Sequence, residues 1–123
     1  VTLTARDLPE NLRARLHGLF GPAVDRVRLV EYSWINALHG WPLAVTRRDR
    51  IYLRLSLAEF CADEDLVLHE YFHVLKQWNT GRLTVWRYLR EWVRSGYRNN
   101  QFEIEARCFA AEHCDRPGRR ASA

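Results

Sequence analysis

At 123 residues the chain can bury one modest core and is too short for two domains. Its net charge of +4 rests on arginine, with Lys76 the only lysine among 19 basic residues, so arginine clusters reflect composition before they signal an acidic partner. Cys61, Cys108 and Cys114 cannot pair into a disulfide framework, no apolar run nears the ~20 residues of a membrane span, and Val1–Arg6 lacks a signal-peptide pattern; a soluble, reduced domain is expected, cytoplasmic or exported by a non-classical route.

In chain order, Asp7-Leu8-Pro9-Glu10 combines a capping residue, a first-turn proline and an acid three positions on, which predicts a helix start. Leu12, Leu16, Leu19 and Phe20 continue at helical spacing to Gly21-Pro22, with His17 as a half-exposed helix residue. Val24–Val30 alternates as a strand, and Trp34–His39 reads as one or two helical turns ended by Gly40 and Pro42. Leu43–Thr46 and Ile51–Leu55 form the arms of a hairpin around Arg47-Arg48-Asp49-Arg50. Ile51, Leu53 and Leu55 face one way, as in a strand covering helices on one side; at a sheet edge it would hold an extended peptide.

The stretch from Asp63 to Trp78 reads as one helix with acids at its start and Asn79-Thr80-Gly81 at its end. Leu83–Ser95 is a second, with Val85, Trp86, Leu89, Trp92 and Val93 on a core face and Arg87, Arg94 and Arg98 opposite. Asn100–Cys114 is the last, where Cys108 and Cys114 read as small buried thiols. The expectation is an α+β fold, a small mostly antiparallel sheet packed on the 63–78 helix plus further helices, with one domain over 1–115 and a flexible arginine-rich tail at 116–123.

His69-Glu70-Tyr71-Phe72-His73 is an HExxH run inside the 63–78 helix. At ~100° per residue two histidines four apart share a face, so both rings can reach one tetrahedral metal ion, and Zn2+ is the first hypothesis. Glu70, one step round, suits a general base toward water at the metal. Chance gives HExxH in a chain this short on the order of once in a hundred sequences, so context decides. Leu68, Tyr71, Phe72, Leu75 and Trp78 form an apolar stripe, and with Val67 and Val74 the helix is apolar nearly all round. Polar groups on so buried a helix need partners, which metal ligation supplies.

A third ligand must come from elsewhere, and the metzincin pattern is excluded because positions 76 and 79 are Lys76 and Asn79. The candidate is Phe102-Glu103-Ile104-Glu105-Ala106-Arg107 on the last helix. Glu103 and Glu105 lie ~200° apart, so only one can face the metal; Glu103 shares its face with Ala106 and Ala110, which permit close helix approach. Together, His69-Glu70-Tyr71-Phe72-His73-Val74 with Gln77, and Glu103-Ile104-Glu105-Ala106, resemble the gluzincin-like metallopeptidases: the CAAX prenyl protease group and, more closely, the core domain of extracellular contractile injection system proteins. The resemblance implies a zincin-like fold, a Zn2+ cofactor, Glu103 as metal ligand with His69 and His73, Glu70 as catalytic base, and a peptide or protein substrate. Where that family has aspartate after Glu-x-Glu-Ala, this chain has Arg107. The carboxylate that would orient a ligand histidine must then come from elsewhere, and Asp65, four residues before His69, is the substitute considered.

The function expected is zinc-dependent peptide hydrolysis, with Tyr97, just before the ligand helix, as a candidate donor to the oxyanion. The alternative is a non-catalytic zinc module docked in a larger secretion or injection assembly. Nucleic acid is not expected as a partner, because Trp86 and Trp92 lie opposite the arginine stripe and cannot supplement it by stacking. No membrane association is expected either.

Overall fold

The computed structural model describes residues 2–33, 44–96 and 100–114. The turns expected at Trp34–His39, the candidate Tyr97, Arg98 and the tail lie outside the described residues. Four strands, β1 (Thr2–Leu3), β2 (Arg28–Val30), β3 (Ala44–Arg47) and β4 (Arg50–Leu53), form a mixed sheet in the order β1-β2-β4-β3. The β2/β4 pair is parallel and the other two are antiparallel. Among the described residues five α-helices accompany it: α1 (Glu10–Phe20), α2 (Leu57–Cys61), α3 (Glu64–Phe72), α4 (Val85–Ser95) and α5 (Gln101–His113). The fold is α+β, as the residue pattern indicates.

Several local expectations change. Asp7 does not cap α1. Its carboxylate accepts from the Thr4 backbone N–H at 2.9 Å and closes a short 3-10 turn over Ala5–Asp7, while Pro9 sits at the start of α1. The strand expected from Val24 begins only at Arg28, because Pro22–Arg26 winds into a second 3-10 turn after Gly21, whose φ of +80° suits glycine. The hairpin is tighter than a four-residue connection: Arg47 pairs with Arg50, leaving Arg48 and Asp49 as the turn, with Asp49 left-handed at φ +56°. The β4 strand lies inside the sheet, so among the described residues the edge on that side belongs to β3.

The core fills the space between one sheet face and the helices. Leu29, Ile51 and Leu53 come from the sheet, Leu16 from α1 and Phe60 from α2, and Val67, Leu68 and Tyr71 from α3. The sheet residues obey the period of two, with Tyr52 only half-buried between Ile51 and Leu53. Phe20, Phe72 and Phe109 join α1, α3 and α5 through ring contacts of 4.8–5.2 Å. Arg15 of α1 adds polar ties, to Glu64 at the start of α3 and to the His113 carbonyl at the end of α5.

The expected helix from Asp63 to Trp78 forms as one run that changes its winding partway. After α3 the chain continues as a π-helical segment over His73–Trp78, with Asn79 N–H bonded to the Val74 carbonyl five residues back. The hairpin pins this segment: Trp78 Nε1 donates to Thr46 Oγ1 at 3.2 Å, and Asn79 exchanges two hydrogen bonds with Asp49, at 2.6 and 3.1 Å. The widened turn therefore has tertiary support on its far side.

The apolar stripe of α4 is not core among the described residues: Trp86 and Val93 are more than four-fifths exposed, and Val85, Leu89 and Trp92 are also exposed. Periodicity says which residues share a face and nothing about whether another element covers it. Cys108, expected to be buried, is exposed on α5, whereas Cys114 is buried.

Candidate metal centre

Two neighbouring helices build the centre. On α3 and its π continuation, the four-residue spacing brings His69 Nε2 and His73 Nε2 to 3.1 Å. On α5, Glu103, Ala106 and Ala110 are the buried residues, and the two alanines let α5 approach α3 closely enough for Glu103 to reach both rings. Glu103 Oε1 is 3.1 Å from His69 Nε2, and Oε2 is 3.1 Å from His73 Nε2. Glu105 faces away. It takes a paired interaction from Arg82, at 2.6 and 3.0 Å, and accepts from Gln77 Nε2 at 3.2 Å. Glu70 lies beside the cluster, its Oε1 3.8 Å from His69 Nε2.

His69, Glu70 and His73 together could hold a metal ion, their ligand atoms lying within 4.8 Å of one another. Glu103 is closer to both ring nitrogens than Glu70 is to His69, so it completes a tighter set. Ligands ~2.0–2.1 Å from a tetrahedral zinc stand ~3.3 Å apart, close to the three 3.1 Å separations here. A nitrogen and oxygen donor set also suits zinc chemically. The His69 side chain remains 16 % exposed, whereas those of His73, Glu70 and Glu103 are 4 %, 8 % and 8 %, so solvent reaches the centre past His69.

Gln77 fixes His73. Its Nε2 donates to the Phe102 carbonyl at 2.9 Å and to Glu105, so its Oε1 is the atom 2.6 Å from His73 Nδ1. His73 Nδ1 must then be the donor, which in the neutral ring leaves a lone pair on Nε2, the form a metal ligand needs. Asp65 does not take part; the hydrogen bonds of His69 run through Nε2 to Glu103 and His73.

Burial and charge set the protonation states. Burial works to lower the pKa of His73, but the hydrogen bond and charge of Glu103, the charge of Glu70 and the Gln77 contact outweigh it and raise the value to about 9. Burial likewise works to raise Glu103, and hydrogen bonds from His69 and His73 overcome it and hold this carboxyl well below the usual range. For Glu70 burial prevails: the carboxyl is raised, Glu103 adds like-charge repulsion, and the histidines only partly oppose this. Two carboxylates in one site are thus driven in opposite directions, one toward a permanent anion and the other toward a proton acceptor of higher basicity.

No family model, curated protein or solved structure matches this chain. What the centre can do follows from its own geometry.

The structure also shows groups that residue spacing did not single out. The phenol of Tyr88, on α4, is pushed up to about 12 by burial and then by the charges of Glu103 and Glu70. It lies on the α4 stripe between Val85 and Trp92, and a lone hydroxyl on an otherwise apolar stripe was the available signal. Arg82, in the loop before α4, was equally unmarked, because its partner Glu105 is distant in sequence.

Proposed function

We propose that the chain is a zinc-dependent metallopeptidase of gluzincin type with a zincin-like fold. Zinc would be held by His69, His73 and Glu103, with Glu70 as the base. The observation that carries this reading is the contact of His69 Nε2 with His73 Nε2 and of each ring with its own oxygen of the Glu103 carboxylate, all at 3.1 Å, with a second, buried carboxylate alongside. Bound zinc supplies Lewis-acid polarisation and lowers the pKa of water toward ~7. Glu70, made more basic by its burial, takes a proton from the attacking water and returns it to the leaving amine. Tyr88, whose phenol senses the charges of Glu103 and Glu70 and is neutral at physiological pH, would be the candidate donor of a hydrogen bond as negative charge develops. Among the described residues, the sheet edge at β3 offers backbone groups to an extended peptide, and Trp78 ties that strand to the π segment that carries His73.

The test is metal analysis together with cleavage of a degenerate peptide library by wild type and Glu70→Gln. About one equivalent of zinc in both proteins, with turnover at least ~100-fold lower in the variant, is expected. Equal turnover in the two, or no zinc in wild type, refutes the reading. A second reading, a zinc module that docks onto a larger assembly, draws on the exposed apolar face of α4 around Trp86 and Val93. It differs in one outcome: Glu70→Gln would leave docking unchanged.

A further inference from the structure

Gln77 is fully buried, and a carboxamide can face His73 with either end. Only one end serves a metal ligand. With Oε1 toward His73, the ring proton stays on Nδ1; with the amino group toward it, Nδ1 must accept, the proton moves to Nε2, and the nitrogen that faces Glu103 and His69 loses its lone pair. Which end faces His73 is decided on the other side of the amide, where the Phe102 carbonyl and Glu105 Oε1 both accept from Nε2. Glu105 is in turn clamped by both Nη atoms of Arg82, a geometry that fixes the carboxylate plane as well as its position.

We propose that Glu105, held by Arg82, is a positioning residue of the metal centre: by fixing the orientation of the Gln77 amide it keeps a proton on His73 Nδ1, so that Nε2 is the nitrogen left to take a metal. This rests on the metal reading above and assigns a role to the glutamate that does not face the ligands. The chain of contacts runs from a half-exposed arginine, through Glu105 and Gln77, to a ring that is almost fully buried. The hydrogen-bonded link from Glu105 to His73 runs through Gln77.

The test compares wild type, Glu105→Leu and Glu105→Gln, with folding checked by far-UV circular dichroism. Glutamine keeps an acceptor oxygen for Gln77, and leucine removes it. In metal-free, 15N-labelled protein, the His73 Nδ1–H proton should exchange with water about tenfold faster in Glu105→Leu than in wild type, and Glu105→Gln should restore protection. Zinc affinity, measured against a competing chelator, should fall about tenfold in the leucine variant and stay within about threefold of wild type in the glutamine variant. Unchanged Nδ1–H exchange in Glu105→Leu overturns the proposal, as does a glutamine variant as weak as the leucine one, which would show that charge matters and orientation does not. A wild-type protein that binds no zinc defeats the metallopeptidase reading separately, since the exchange measurement uses metal-free protein and still decides whether Glu105 orients the pair.

Discussion

Raising the pH of the metal-free protein should destabilise it, with His73 as the main cause. The ring's pKa stands at about 9 in the fold against the usual 6.5. Below pH 6.5 both folded and unfolded chains carry the proton, and the stabilising contribution is complete. Between 6.5 and 9 the unfolded chain gives it up while the folded one keeps it, so stability falls; above 9 neither holds it and the contribution is gone. A difference of roughly 2.5 pH units at ~1.4 kcal/mol each is about 3–4 kcal/mol, a large share of the 5–15 kcal/mol typical of a domain. Glu70, raised by burial, adds a loss of the same sign that begins from its usual 4.5. Urea unfolding followed by circular dichroism at pH 6, 7.5 and 9, with a chelator present, reads the effect. Glu103→Gln is the control, because it removes the main charge that holds the proton on His73, and its curve should be much flatter across the same window. A urea midpoint that does not move between pH 6.5 and 9, or a Glu103→Gln protein that loses stability just as wild type does, would refute the reasoning.

Two further outcomes concern the core and the thiols. The Tyr71 hydroxyl is buried with no hydrogen-bond partner among the described residues, so Tyr71→Phe should leave stability unchanged or raise it by about 1 kcal/mol in urea unfolding; a loss of that size would reveal a partner. Burial pushes the Cys61 thiol up to about 11, so at pH 8 iodoacetamide should modify it about 100-fold more slowly than an unperturbed thiol, whereas exposed Cys108 should label readily. The Cys61 rate should still be climbing between pH 9 and 11, and a plateau by pH 9 would contradict this.

The helical spacing of His69 and His73 and the choice between Glu103 and Glu105 were both legible in the residues, because each is a local consequence of about 100° per residue on a single helix. Ala106 and Ala110 were enough to show which side of α5 faces its neighbour. The parallel pairing of β2 with β4 was not legible, since strands of three and four residues carry little register information of their own. Nor was the exposure of the α4 stripe, because an amphipathic pattern announces a face that could be covered without showing that anything covers it. Gln77 stood in the sequence as part of a motif, but its role depends on Phe102 and Glu105, some 25 residues away, and only the fold brings those acceptors to it.

The π segment after His73 makes chain length itself a variable of the centre. A π turn spends one residue more than an α turn, and deleting a residue between Val74 and Lys76 would restore the ordinary winding. The tighter winding absorbs the deletion, so the two histidines and the residues beyond the turn would keep their places, while Gln77, inside it, would stand three residues after His73 rather than four and lose its register with that ring. A homologous chain could therefore carry the same five-residue motif and the same downstream glutamate yet have no amide against its second histidine. Aligning such a chain to this one requires a single-residue gap inside an unbroken helix, a place where gaps are ordinarily forbidden.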